Sequence, residues 1–471
     1  MDGLFCGIDI GSTNVKVAIV DAGGATLAAE ARPTPRIMAE GAVETDAAYL
    51  TSVLEDMIVR AWRRLSTPRR ILAISAAGVG EDGLMVDGDI MPVGYSIPWF
   101  DRRAEAEAAL LAEHHSLEGR TGIAIDPTRT AAKWLWSARH RPQEFARGRW
   151  WISLTDYPLA KWAHRPFFSE SLAVRSGCYD ISRRAFLPEL LEASRAPSLA
   201  DVALAGSRIG TVGGQCSLVL RGAVAPGAAL IAGGHDHPVA AALIRAGAPD
   251  AIVDSLGTAE LLHAETGTCV QHHPPLVRST ALLAPAGEAC LYVFELASQL
   301  RAVPGPALRD LLDRGWPEHA FSGREQAAAL IGGEARPEAL TGALQSGEPG
   351  TVWQLLEAVT FAARRIVEEM KRAGIPAGAF YTTGGWSRSD AFVRLRANVL
   401  GQTIHRVNEP ELVALGAAFL AARGSGHPIA RTLDTALFPP DRAAAEIHEA
   451  RYRDAKEPIS RLLGLSHPPR S

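Results

Sequence analysis

The chain has 471 residues, 47% of them hydrophobic and 21% charged, the balance of a soluble globular protein too long for a single core. Forty-eight basic side chains against 52 acidic ones leave a net charge of −4, so neither a nucleic-acid nor a membrane partner is expected. No apolar run approaches the ~20 residues that span a bilayer, and "MDGLFCGIDIG" has no basic segment ahead of a signal-like core. A cytoplasmic protein is the expectation. Five scattered cysteines, Cys6, Cys178, Cys216, Cys269 and Cys290, form no Cys-x-x-Cys pair, so neither a disulfide framework nor a cysteine zinc site is implied.

In chain order, "LFCGIDIG", "NVKVAIVDAGG" and "ATLAAEARP" are short apolar runs broken by Gly-Ser-Thr and Asp-Ala-Gly-Gly turns, which predicts a β-meander. "RRILAISAA" reads as a strand, "DRRAEAEAALLAEHH" as a helix, and "GRWWISLTDYPLAKWA" as a strand passing into a helix. Past residue 230 the opening pattern returns: "VDSLGT" (Val253 to Thr258) sits in a strand-turn-strand context like that of "IDIGST" (Ile8 to Thr13). Two related domains follow, residues 1–228 and 229–471, joined near "APGAAL". Towards the end, Thr351 is placed to cap a helix with the apolar stripe Val352, Leu355, Leu356, Val359, Ile366 and Met370, closed by Gly374. Two more helices follow, the second with Pro410 near its first turn, while residues 301–350 are placed only loosely.

"GVGEDG" is a literal G-x-G-x-x-G after a strand, yet "LMVDGDIMPVG" continues as a hairpin around an Asp-Gly turn instead of opening a helix, so a dinucleotide site is disfavoured. Neither a P-loop sequence nor a G-x-S-x-G elbow is present. Tight Gly/Ser/Thr turns can nevertheless aim backbone N–H groups at a phosphate. "DIGSTN" offers Gly11, Ser12, Thr13 and Asn14 beside Asp9, a carboxylate suited to magnesium, and "SLGTAE" offers Gly257 and Thr258. Such turns at matched positions of two domains point to a nucleotide held in a cleft between them. In "GGHDHPVAAAL", Asp236 stands between two imidazoles where a strand gives way to a helix, and metal site, catalytic base and ordinary turn compete.

Five motifs, in order from residue 7 to 426, resemble those of the FGGY carbohydrate kinases, within the actin/hexokinase/Hsp70-like superfamily. They are "GIDIGSTNVKVAIVDAGG", the stretch from Lys133 and Trp136 through Pro142 and Phe145 to Asp156 and Tyr157, "GGHDHPVAAAL", "SLGTAE", and "TTGGWSRSDAFVRLRANVLGQTIH" with "ELVALGAAFLAARGSG". The resemblance implies an α/β fold of two ribonuclease H-like (actin-like ATPase) domains with the active site between them, and transfer of the γ-phosphate of ATP to a hydroxyl of a ketose or related small sugar or polyol. Asp236 is the implied base and, with Asp9, a magnesium ligand. ATP is assigned to Asp9, Gly11, Ser12, Thr13, Asn14, Gly257, Thr258, Gly384, Gly385 and Ser387, and the sugar to Asp82, Trp99 and Arg102, with Glu81, Asp101 and Arg103 nearby.

The "GEDG" and "GGHD" stretches look closer to the fuculokinase and rhamnulokinase branch than to xylulokinase or glycerol kinase. Two departures stand out: Ala259 replaces a hydroxyl residue, and residues 286–350 match nothing usual in the family. A homodimer is carried as an expectation. The rival readings are a non-catalytic ATP-binding switch and a phosphatase-type relative on the same fold.

Overall fold

A computed structural model describes residues 3–66, 69–257, 259–294, 349–376, 378–429 and 432–465. The expected meander is present: the strands Leu4–Ile10, Asn14–Asp21 and Thr26–Pro33 pair antiparallel, with Leu4 opposite Asp21 and Ile10 opposite Val15. Every residue of Leu4–Ile10 is buried, because both faces of this central strand are covered. Its alternation divides the load: Leu4, Cys6, Ile8 and Ile10 join a core shared with the helix Ala47–Arg63, while Phe5 enters a second core on the other face. The sheet grows by parallel addition of Ile71–Gly78 and then Val224–His235, with Arg208–Thr211 at the edge.

A second sheet repeats this topology around Ile252–Leu256, which pairs antiparallel with Glu260–Thr266 and parallel with Phe380–Thr383. Glu288–Phe294 extends one side, and Ile404–Val407 followed by Thr435–Phe438 the other. "VDSLGT" is therefore the counterpart of "IDIGST": each is the end of a central strand and the turn into its antiparallel neighbour. The stripe of the helix Pro349–Arg372 is buried against this sheet as expected, although the helix begins two residues ahead of Thr351. Gly374 ends it at φ +94°, with Ile375 N–H donating to Met370 O at 3.0 Å. Most of the atypical stretch, residues 295–348, lies outside the described residues.

The expected boundary at 228/229 falls inside Val224–His235, a strand of the first sheet, and the chain changes sheet between Arg245 and Ile252. The Pro226-Gly227 pair that suggested a linker sits at a break in register between Val224 and Ala229, with Gly227 at φ +73°; the strand bulges there and continues. "DRRAEAEAALLAEHH" also departs from one regular helix, giving Glu105–Leu111 and then the 3₁₀ turns Ala112–Leu117. The hairpin after "GVGEDG" is present, with Asp87 N–H donating to Met91 O and Val93 N–H to Met85 O, both at 2.9 Å.

Two alanine-rich helices, Asp236–Arg245 and Leu412–Gly424, fill the space between the sheets, their buried residues forming one core with Phe5, Ala73, Ile231 and Val253. The contact is backbone against backbone. A Cβ on Gly7 would fall 1.8 Å from Ala414 O and 2.4 Å from Ala418 N, and one on Gly416 would fall 2.3 Å from Val239 O. The architecture is that of two ribonuclease H-like domains in the actin-like ATPase arrangement. Gly7→Ala is expected to force the helix Leu412–Gly424 off the sheet and cost about 3 kcal/mol or more, read as a lowered denaturant midpoint; an unchanged midpoint would show that the contact is not a constraint.

Candidate active site

Topology brings both turns to the ends of their central strands. In the first, Gly11 N–H donates to Asn14 O at 3.1 Å, and the turn is tied back by a passing segment: Thr34 Oγ1 donates to Gly11 O at 2.6 Å and Arg36 Nη2 to Ser12 O at 3.1 Å. In a trans peptide, C=O and N–H point opposite ways, so the N–H groups of Ser12 and Thr13 face away from Thr34 and Arg36. In the second turn, Gly257 N–H donates to Ala259 O at 3.0 Å; Thr258 lies outside the described residues. Gly384, at φ +96°, passes so close that a Cβ would sit 2.4 Å from Leu256 O, and Ser387 Oγ donates to Gly384 O at 2.7 Å. Below this turn the fully buried Arg396 Nη2 reaches Asp254 Oδ2 at 2.6 Å and Glu260 Oε1 at 2.7 Å, bracing the strands on either side.

Asp236 opens its helix after Gly233, Gly234 and the N-cap residue His235. A Cβ on Gly233 would meet Ala76 O at 2.0 Å, and Gly234 adopts φ +142° beside Ser171, so neither position accepts a side chain. Ser171 Oγ accepts His235 N–H at 2.9 Å, and Asp236 Oδ1 accepts His237 N–H at 2.7 Å. The His235 and His237 Nε2 atoms lie 3.4 and 3.8 Å from Asp236 Oδ1. Burial pushes the His235 pKa down to about 3, so it is a neutral wall packed against Gly80 and not a cation beside Asp236. Asp9 feels the Asp236 charge: burial first, then the Asp236 carboxylate, push the Asp9 pKa up to about 8, offset in part by Lys16.

Beside the second turn lies a cavity of about 590 Å³, lined among others by Lys16, His237, Ser255, Asn408, Pro410 and Leu412; of the residues expected to hold ATP, Gly384, Gly385 and Ser387 line it, whereas Asp9, Gly11 to Asn14 and Gly257 do not. Lys16, opposite Asp9 in the first hairpin, pairs with Glu411 at 2.9 Å across the mouth. Sequence reasoning missed Lys16 as a site residue, although its period-2 position two strand residues from Asn14 was the available signal.

On the first domain, Asp82 is fully buried, with Oδ1 accepting Trp99 N–H at 2.6 Å and Oδ2 without a hydrogen-bond partner among the described residues. Burial raises its pKa to about 6, against the pull of Lys133 and Arg36. Glu81 Oε1 takes both Arg129 and Arg175; burial alone would raise its carboxyl, but those guanidiniums and Lys133 hold it below the usual range. Lys133 Nζ donates to Pro98 O at 2.7 Å, and burial lowers its pKa to about 8. Trp99 is 40% exposed, edge-on to Phe100 at 5.8 Å, and is free to face a ligand.

The Arg102 side chain is 65% exposed and lies 3.9 Å from Glu105. Its neighbour Arg103 turns inward instead, bonded to Asp101 and to the buried Glu44. The cation that faces Asp82 is Arg36, 3.7 Å from Oδ2, which sequence reasoning did not single out.

The description "FGGY family of carbohydrate kinases, N-terminal domain" matches residues 4–243, and the corresponding C-terminal domain matches residues 329–425. The chain belongs to the FGGY family of carbohydrate kinases. It is a phosphotransferase with an alcohol group as acceptor, transferring the γ-phosphate of ATP, with Mg²⁺, to a small sugar or polyol. L-fuculokinase of Escherichia coli (strain K12) is 25% identical over 94% of this chain and 96% of its own. Glycerol kinase of Gloeobacter violaceus is also 25% identical, over 90% and 89%. Fuculokinases thus stand among the matched relatives, in keeping with the branch expected from "GEDG" and "GGHD". Among solved structures, xylulose kinase from Rhodospirillum rubrum (22% identical, TM-score 0.78) and gluconate kinase from Lactobacillus acidophilus (16%, 0.80) each align over 98% of this chain and 99% of their own, and share the fold. No helix among the described residues is long and apolar enough to cross a membrane.

His263, on the wall of the cavity, is 1% exposed, and its ring nitrogens have no hydrogen-bond partner among the described residues. Burial, then the charges of Arg245 and His237, push its pKa down to about 3. Below pH ~6.5 the unfolded chain binds a proton that the native state refuses, so stability falls as pH drops. Chemical unfolding at pH 6.5 and 5.0 is expected to show His263→Leu losing about 1.5 kcal/mol less than the parent over that interval. Equal losses would mean that the imidazole protonates in the fold.

Proposed function

We propose that MgATP lies in the 590 Å³ cavity with its phosphates between the turn Gly11–Asn14 and the turn at Gly257 and Gly384, while the acceptor lies against Asp82 and Trp99. The single observation that carries this reading is that Ile10 and His235 both pair with Gly78, which brings Asp9, the first turn and Asp236 to one end of the first sheet, close enough for the Asp236 charge to act on Asp9. Asp236 takes the proton of the acceptor hydroxyl as its oxygen attacks the γ-phosphorus and ADP departs. The transition state is loose, so alignment contributes more than the strength of the base.

The residues present fit magnesium. Burial and then the neighbouring Asp236 carboxylate raise the Asp9 pKa, a cost to its charged form that a hard divalent cation relieves, and one or two carboxylates plus phosphate oxygens are a usual magnesium set. Once bound, the ion neutralises charge that develops on the transferring phosphoryl group. Lys16 stands where it can meet phosphate oxygens, and the tied-back carbonyls of Gly11 and Ser12 leave two N–H groups for the same task.

Asp82, with one oxygen committed to Trp99 and one unpartnered, is suited to adjacent hydroxyls, and a ketose phosphorylated on a primary hydroxyl is the acceptor class proposed. The cytoplasm suits the free thiols of all five cysteines and a kinase supplied with ATP.

Acceptor-dependent ADP release over a panel of L-fuculose, D-ribulose, D-xylulose, L-erythrulose and glycerol identifies the substrate. With that acceptor, Asp236→Asn is expected to bind ATP while turnover falls about 10³-fold; a variant of near-normal turnover would remove Asp236 from the role of base. Asp82→Asn is expected to raise the acceptor KM at least tenfold, from a buried hydrogen bond worth about 1.5–3 kcal/mol, whereas Arg102→Ala leaves it within about twofold. The reverse ranking would restore Arg102 to the sugar site.

A further inference from the structure

We propose that Arg36 is a positioning residue that couples acceptor binding to the orientation of the first phosphate turn, an inference that rests on the placement of ATP and sugar given above. One guanidinium spans both half-sites. Nη2 donates to Ser12 O at 3.1 Å, in the phosphate turn, and Nη1 donates to Thr45 Oγ1 at 2.5 Å while lying 3.7 Å from Asp82 Oδ2. That oxygen is fully buried and has no hydrogen-bond partner among the described residues, whereas Oδ1 is fixed by Trp99 N–H at 2.6 Å.

The 3.7 Å between Arg36 and Asp82 is too long for a direct hydrogen bond; Oδ2 is closed to solvent, so the two side chains must part to admit a sugar hydroxyl beside them. A sugar hydroxyl there donates to Asp82 Oδ2 and accepts from Arg36, satisfying both. The guanidinium is planar and rigid, so its tilt towards a hydroxyl is transmitted to its other arm. That arm holds the carbonyl of the Ser12–Thr13 peptide, and turning this carbonyl turns the Thr13 N–H on the opposite side of the same plane. The Phe100 ring, 5.5 Å from the guanidinium, flanks the same side chain. Thr45 is itself pinned, exchanging backbone hydrogen bonds with Ser96 at 3.0 and 2.9 Å, so it serves as the pivot. Linkage then requires that nucleotide tighten acceptor binding by the factor with which acceptor tightens nucleotide binding.

The test is the ratio of dissociation constants for Mg-AMP-PNP, by calorimetry, without and with saturating acceptor, the acceptor being the panel member that gives the fastest ADP release. For the parent protein the ratio is expected to be about 10. For Arg36→Gln and Arg36→Lys it is expected to fall below about 2, because neither side chain can hold Ser12 O and a shared hydroxyl together. A purely structural role for Arg36 would lower thermal stability and both affinities yet leave the ratio intact. A folded Arg36→Gln or Arg36→Lys with a ratio near the parent's overturns the proposal, as does a parent protein whose nucleotide affinity ignores an acceptor that it phosphorylates. If no acceptor on the panel is phosphorylated, the placement of the sugar falls, and this inference with it.

Discussion

The close approach of the helix Leu412–Gly424 to the strand Leu4–Ile10 is the constraint on which the site depends. With no side chain at Gly7, the backbone of the helix lies against the backbone of the strand, and Gly416 admits Val239 of the neighbouring helix in the same way. The sheets are thus held on either side of two thin, alanine-rich helices whose buried residues form one core with both. A few ångströms of extra separation would leave two ordinary hairpin turns facing solvent. The same helix also carries one wall of the 590 Å³ cavity at Leu412 and Val413, so interdomain packing and the shape of the cavity are set by a single element.

Buried charge is distributed unevenly around that space. Asp9 and Asp82 have their pKa values pushed up by burial, and each retains an oxygen or a field that a ligand can satisfy. Glu81 has its carboxyl held low by two guanidiniums and a lysine and is committed to structure on the floor of the sugar side. Asp254 and Glu260 share Arg396 under the second turn, and burial raises both of their pKa values in spite of it.

Much of this was legible in the sequence because it is written in local patterns. Apolar runs ended by Gly-Ser-Thr or Leu-Gly-Thr gave both central hairpins, and the Gly-Gly-His-Asp junction gave Asp236, since strand end, close approach and helix start are each short-range properties. What escaped were contacts between segments remote in the chain. Arg36 meets Asp82, and Arg129 and Arg175 meet Glu81, only because loops from different parts of the first domain fold over one strand end. Adjacent arginines misled for a related reason: Arg102 and Arg103 are equivalent in sequence, but only Arg103 finds the buried Glu44. At the domain join, a Pro-Gly pair that reads as a linker is a bulge that the strand survives, because its neighbours on both sides keep it paired beyond Ala229.

The central claim is that the γ-phosphoryl group passes across the cleft to an alcohol held on the first domain, with water kept out. The most direct measurement follows the label from [γ-³²P]ATP in the presence of magnesium and each candidate acceptor. Recovery of the label in a sugar phosphate, in amounts matching ADP, is the predicted result. Label released as inorganic phosphate at the same rate with or without any acceptor would contradict the account and indicate a phosphatase on the same fold.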